Sequence, residues 1–126
     1  MSIWTHVSGL IRVDSLRFVK DADPTLDKIY EILGKQISYN EVWDEDIKSH
    51  IPCGSEGSIQ YQVITNPDLS AIAAYTIPIW GDLRDYDSIE EIKNWFDKIT
   101  SSRDLMIRQA VITVECEDGK KWVGAN

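Results

Sequence analysis

Residues 3–13 alternate between two sets of side chains, which is the period-two pattern of a β-strand. One set is apolar and comprises Ile3, Val7, Ile11 and Val13. The other set comprises Trp4, His6, Ser8, Leu10 and Arg12. The alternation predicts a first strand, and Gly9 in its middle is a candidate for a bulge.

A short amphipathic helix is predicted to follow this strand. Asp23 and Pro24 provide an N-cap acceptor and a first-turn proline, and Gly34 provides a stop. Between them, apolar residues recur at helical spacing: Leu26, Ile29, Tyr30 and Leu33. The mixed pattern of residues 35–51 predicts a loop with a short helical turn.

Two further strands are predicted as an antiparallel hairpin. Residues 59–64 form the first, Asn66-Pro67-Asp68 the turn, and residues 71–80 the second. Pro78 has no N–H for the ladder, so we expect an edge or a bulge there.

The second helix carries the clearest local signals. Ser88 and Glu91 have the spacing of a capping box, and the apolar residues Ile89, Ile92, Phe96 and Ile99 follow on one helical face. A β-branched strand over 107–115 comes next, and Asp118-Gly119 then predicts a tight turn into a short strand at 121–123.

The order of these elements predicts an α+β fold, specifically a ferredoxin-like β-α-β-β-α-β sandwich with a short additional C-terminal strand. Its sheet would be antiparallel, with both helices on one face. The other face would be solvated, covered by residues 35–51 or paired with a second subunit. Trp4 and Leu10 are the predicted interface residues of a homo-oligomer, a dimer or higher.

Length and charge restrict the class of protein. With 126 residues, 43% of them hydrophobic, the chain is expected to form one domain spanning residues 1–126. A net charge of −8 disfavours non-specific binding to nucleic acid or to anionic membranes. Two distant cysteines, no leader pattern and no long apolar run predict a reduced, cytoplasmic protein that does not cross a membrane.

Residues 52–58, Pro-Cys-Gly-Ser-Glu-Gly-Ser, form the most informative loop. Its small residues can turn several N–H groups toward one anion. A second compact loop over residues 81–87 adds a guanidinium, and tryptophan can stack on a base. The predicted ligand-binding residues are Arg12, Cys53, Gly54, Ser55, Gly57, Ser58, Trp80, Arg84 and Tyr86.

Catalytic and metal sites have weaker support. Cys53 with His6 or His50 could form a nucleophile and base, but no G-x-S-x-G elbow or known cysteine-enzyme signature is present. Zinc would need His6, His50, Cys53 and Cys116 from separate elements. The aspartates at 82, 85 and 87 lack the frame of a calcium loop. We therefore predict no catalytic residue, metal or cofactor.

These observations favour a non-catalytic protein that sequesters or senses a small phosphorylated or nucleotide-like ligand in a loop-lined pocket, which subunits of an oligomer could share. The alternative is a small acidic inhibitor or nucleic-acid mimic that occupies a basic groove of a partner, and the net charge agrees with it. A hydrolase that uses Cys53 or His50 is the third hypothesis.

Overall fold

A computed structural model gives the fold of the protein, and it describes residues 2–14, 25–34, 36, 51–65 and 75–126. Four sequence predictions lie outside these residues. They are the helix start at Asp23 and Pro24, the loop predicted over 35–51 apart from residues 36 and 51, the turn at 66–68, and the first part of the strand predicted to begin at residue 71.

Within the described residues, the chain forms an α+β fold with six strands and two helices. The strands are β1 (Trp4–Asp14), β2 (Gln60–Tyr61), β3 (Ile64–Thr65), β4 (Tyr75–Arg84), β5 (Met106–Cys116) and β6 (Lys121–Ala125). The helices are α1 (Thr25–Leu33) and α2 (Ile89–Thr100). Neither helix has the length and apolar character that crossing a membrane requires.

All strand pairs of the sheet are antiparallel, in the order β2-β4-β1-β5-β6, and β3 also pairs with β4. The predicted antiparallel α+β class is therefore confirmed. β1 lies at the centre, where Val7 pairs with Gly81 of β4 and with Val114 of β5. The β1–β5 register shifts between Arg12 and Val13, where β5 has one extra residue, Arg108, so the irregularity lies opposite the end of β1 rather than at Gly9.

Pro78 explains why the strand predicted over 59–64 is divided into β2 and β3. The carbonyl of Pro78 accepts a hydrogen bond from the N–H of Gln62 at 3.2 Å. Proline has no N–H to return, so the regular two-bond exchange of an antiparallel pair cannot form at this position. The expected irregularity at Pro78 therefore falls in the neighbouring segment, while β4 continues without a break to Arg84.

One face of the sheet packs against both helices. From α1, Ile29 and Leu33 are buried in the same core as Ile92, Phe96 and Ile99 of α2. The sheet contributes alternate residues to that core: Val7, Ile11, Val13, Ile77, Ile79, Leu83, Ala110, Ile112 and Val114. The predicted apolar positions of β1 and α2 are thus buried as expected, apart from Ile3, which is exposed, and Ile89, which is partly buried.

Trp95 is a central contact between the helices rather than a residue at the border of the apolar face. Its side chain is only 8% exposed. The indole N–H donates to the carbonyl of Leu33 at 2.9 Å, at the C-terminal end of α1. Helix carbonyls in the last turn have no partner within the helix, so this bond satisfies one of them and joins α1 to α2.

The opposite face of the sheet, which we call the open face, carries the other set of alternating residues. Trp80 is 46% exposed, Val111 37% and Val123 56%. His6, Ser8, Leu10 and Arg12 of β1 occupy the same face at its centre. The open face thus retains substantial accessible apolar surface.

The predicted capping box at the start of α2 is wrong. Ser88 occupies the N-cap position, but its side chain makes no capping hydrogen bond. The backbone forms the turn instead, because the N–H of Glu91 donates to the carbonyl of Ser88 at 2.9 Å.

We therefore expect Ser88→Ala to change the free energy of unfolding by less than about 0.5 kcal/mol, rather than by the ~1 kcal/mol typical of a functioning cap. Urea denaturation measures this difference. A loss of 1 kcal/mol or more would show that the hydroxyl does cap the helix in solution.

Candidate functional site

The loop over residues 52–58 folds back onto the end of β4. The N–H of Gly54 donates to the carbonyl of Gly57 at 2.9 Å, and the N–H of Ser55 donates to the carbonyl of Arg84 at 3.0 Å. In return, the N–H of Arg84 donates to the carbonyl of Glu56 at 3.0 Å. The N–H groups of Gly54 and Ser55, which were expected to face an anion, therefore have backbone acceptors already: the first closes the loop on itself and the second fixes the loop on the sheet.

The two glycines of this loop permit a close approach of backbone to backbone. A Cβ atom on Gly54 would lie 2.5 Å from the carbonyl oxygen of Arg84, and one on Gly57 would lie 2.0 Å from that of Asp82. Gly57 also has a φ of +74°, a conformation that residues with side chains rarely adopt. The sequence pattern predicted that a ligand would approach these glycines closely, whereas the group that lies against them in the structure is β4 of the same chain.

Arg84 joins the same loop to the sheet through its side chain. Its Nη1 donates to Oε1 of Glu56 at 2.6 Å, and its Nε donates to the hydroxyl of Ser2 at 2.8 Å. The guanidinium expected to meet a ligand is therefore already paired with a carboxylate, and a free anion would have to compete with Glu56 for it.

A cavity of about 420 Å³ opens where this loop meets the open face. We call it the tryptophan pocket, and it is lined by Trp4, Gly57, Ser58, Gln60, Trp80, Gly81 and Asp82. It unites Gly57, Ser58 and Trp80 of the predicted binding set with Trp4, which was predicted as an interface residue. Its volume is in the range of small-molecule sites.

The other predicted binding residues lie elsewhere. Tyr86 is buried in the core, where burial raises the pKa of its phenol. Cys53 packs partly buried against the core, and Cys116 is buried. Arg12 lies on the open face and donates to the side-chain amide of Gln109.

Gln60 and Asp82 line the pocket but were missing from the predicted set. Asp82 lies two positions beyond Trp80 in β4, and Gln60 pairs directly with Trp80. Side chains two apart on a strand share a face, so alternation alone places both residues beside the tryptophan. That signal was missed because residues 81–87 were interpreted as a loop, whereas β4 extends through Arg84.

A charged cluster borders the pocket at His6. Its Nδ1 lies 2.6 Å from Oδ1 of Asp82, and its Nε2 lies 3.1 Å from Oε2 of Glu117. These two hydrogen bonds raise the pKa of His6. The pKa of Glu117 is lowered, first by the N–H of Trp4 and then by His6. Both nitrogens of His6 thus face carboxylates rather than a thiol or hydroxyl.

No group of three or more His, Cys, Asp or Glu side chains in the described ranges is arranged to hold a metal ion. His50, one of the four possible zinc ligands, lies outside those ranges. Comparison of the chain with models of protein families, with curated proteins and with solved structures finds no match.

Proposed function

We propose that this protein is a non-catalytic binding protein whose tryptophan pocket holds a flat, nitrogen-containing ring of the nucleobase type. The observation that carries the proposal is the pocket lining, in which Trp4 and Trp80 are combined with the carboxylate of Asp82 and the amide of Gln60. Ligand sites typically pair an apolar, aromatic lining with a few fixed polar groups, and this lining has that composition.

The polar groups indicate which ring edge would fit. The Oδ1 atom of Asp82 is bonded to His6, and no described residue forms a hydrogen bond or an ion pair with the Oδ2 atom. A carboxylate oxygen accepts hydrogen bonds and donates none while it is ionised, and the hydrogen bonds with Asp82 and Glu117 raise the pKa of the neighbouring His6. The pocket therefore suits a ring with N–H donors along one edge, as in guanine, stacked on an indole.

The pocket is less suited to a phosphate group. Among the described lining residues Asp82 is the charged one, and the net charge of the chain is −8. A phosphate near Asp82 would be repelled unless a cation accompanied it. We therefore narrow the ligand of one subunit to the base or nucleoside part of a nucleotide-like molecule.

We further infer that the fold is a ferredoxin-like sandwich. The β2/β3 segment, β4, β1 and β5 lie side by side in that order and are all antiparallel, with the helices following the first and third of the four main strands. This arrangement supports the β-α-β-β-α-β topology, with β6 as an added edge strand.

Replacing Trp80 with alanine is expected to weaken nucleobase binding by about 1–3 kcal/mol, the range found when a stacking aromatic is removed. Calorimetry with a panel of nucleobases and nucleosides measures the loss. Tyr30→Ala is the matched control, because Tyr30 is 47% exposed, similar to Trp80 at 46%, but lies on α1 away from the pocket.

Two outcomes would contradict the proposed function. The first is that the wild-type protein binds no member of the panel. The second is that the Trp80→Ala variant binds as tightly as the Tyr30→Ala variant. Either result would leave the acidic inhibitor as the better hypothesis, which then predicts a basic protein partner and an affinity that falls steeply with salt.

A further inference from the structure

The register of the sheet orders most residues of the open face into four parallel rows, and Trp4 and Arg84 pair outside them, next to His6 and Asp82. Two central rows are largely apolar or small, and they consist of Trp80, Ser8, Thr113 and Val123, followed by Pro78, Leu10, Val111 and Ala125. One outer row contains Asp82, His6, Glu115 and Lys121, and we call it the acidic end. The other outer row contains Thr76, Arg12 and Gln109, and we call it the arginine end.

The two ends differ in charge. At the acidic end, Asp82 and Glu117 share His6, and Glu115 lies 3.0 Å from Lys121. At the arginine end, Arg12 donates to a neutral amide on Gln109, and no carboxylate among the described residues lies within ion-pair distance of it. Among the described residues, the face thus presents three carboxylates with His6 and Lys121 at one end and a guanidinium without a carboxylate partner at the other.

We propose that a second copy of this chain docks on the open face, related by a two-fold axis that runs across the strands between the two central rows. Such an axis makes the interface self-complementary, because each row meets the opposite row of the partner. The central rows would pack on each other as in a β-sandwich. Arg12 of the partner subunit would then lie over His6, between Asp82 and Glu115.

Charge selects this axis over the alternative. A two-fold axis parallel to the strands would place the acidic end of one copy on the acidic end of the other. Asp82 would then face Glu115 of the partner subunit and His6 would face the partner's His6, so groups of like charge would meet, an arrangement that electrostatics disfavours. A two-fold axis across the strands instead forms two guanidinium–carboxylate contacts, one at each end of the interface.

The size of the face limits the strength of this dimer. Five strands and four rows of facing residues cover a patch roughly 20–25 Å across in each direction. The total area buried by two such patches would be near the lower limit of about 1,200 Å² for specific interfaces. We therefore expect a reversible dimer with a dissociation constant in the micromolar range.

The dimer would also complete the tryptophan pocket, an extension that rests on the proposed function. Asp82 lines the pocket and lies in the row over which Arg12 of the partner subunit would sit. The added guanidinium would supply a cation for a phosphate, which none of the described lining residues of one subunit provides. The dimer should therefore favour a nucleotide over its nucleoside, whereas the monomer should not.

A charge-swap pair tests the dimer without any ligand. In a dimer of the Arg12→Glu variant, carboxylates of one copy would lie over carboxylates of the other at both ends of the interface. In a dimer of the Asp82→Arg variant, guanidinium groups would lie over guanidinium groups. Each variant should be monomeric by light scattering and analytical ultracentrifugation at concentrations where the wild type is dimeric. Mixed in equal amounts, the two variants should form a heterodimer, because every contact between position 12 and position 82 is then between opposite charges.

A monomeric wild type at millimolar concentration would overturn the inference, as would variants that self-associate like the wild type or fail to associate when mixed. Circular dichroism checks that both variants are folded. If either is not, the wild type alone decides the question. Its dissociation constant should rise several-fold between low and high salt, and a salt-independent constant would contradict the Arg12 contact.

Ligand binding provides the second measurement. The wild-type dimer should bind a nucleoside 5′-monophosphate about tenfold more tightly than the nucleoside, and Arg12→Gln should lose this preference while retaining nucleoside binding. A dimer that binds neither compound would reject the proposed function and leave the interface intact. Nucleoside binding by a strictly monomeric protein would reject the interface and leave the proposed function intact.

Discussion

Phe96→Ala is expected to lower the free energy of unfolding by about 3–5 kcal/mol, a large part of the total stability of a small domain. Phe96 lies at the centre of α2 and is only 2% exposed. Its ring meets the indole of Trp122 from β6 edge to face, with the ring centroids 5.8 Å apart. The substitution would therefore leave a cavity between the helix layer and the sheet and would also remove an aromatic contact.

Chemical denaturation of the wild type and the variant measures this loss. Asn94→Ala is the matched control, because residue 94 lies on the exposed side of the same helix and should change stability by no more than about 0.5 kcal/mol. A Phe96→Ala protein as stable as Asn94→Ala would show that α2 does not pack through this face.

The sequence is a good guide to the elements whose signal is periodic. In α2 the spacing of Ile92, Phe96 and Ile99 identified the buried face, and in β1 the alternation separated Val7 and Ile11 from the open face. Burial of one face imposes these periods on every turn or residue pair, so the pattern is repeated several times within each element.

Contacts between elements distant in sequence leave much weaker signals. Trp95 falls beside the apolar stripe of α2, yet it is buried because the carbonyl of Leu33 provides a partner for its indole N–H. Ser88 has the residue type and spacing of a cap but no capping bond. In both cases the decisive feature is the position of another group in space, which the local pattern does not record.

The candidate site was predicted in part for the same reason. An aromatic residue at an exposed strand position identified Trp80, and small residues identified Gly57 and Ser58. The function predicted for the loop N–H groups differs from their observed use, because the N–H of Gly54 donates to Gly57 within the loop and that of Ser55 donates to Arg84 on β4, more than twenty residues away. The role predicted for Arg84 also differs from the observed one, because Glu56 of the loop already neutralises its guanidinium.

Gly57 leads to the second large prediction, because its neighbours are now known. From the sequence alone, a side chain at this position would be expected to block a ligand while the sheet stays folded. The structure predicts a folding defect instead, because the new Cβ would lie 2.0 Å from the carbonyl oxygen of Asp82. No rotamer relieves this contact, since both atoms are fixed by the backbone.

We therefore expect Gly57→Ala to destabilise the protein by about 3–5 kcal/mol, by adding this clash to the ~1–3 kcal/mol cost of a positive φ. Gly119→Ala separates the two contributions. Gly119 has a φ of +105°, but a Cβ there would meet no atom within 4 Å. The loss of stability in Gly119→Ala should therefore not exceed the conformational cost of the positive φ alone. If urea denaturation gave equal losses of stability for the two variants, the 52–58 loop would not be held against β4. Gly57 would then be accessible to a ligand.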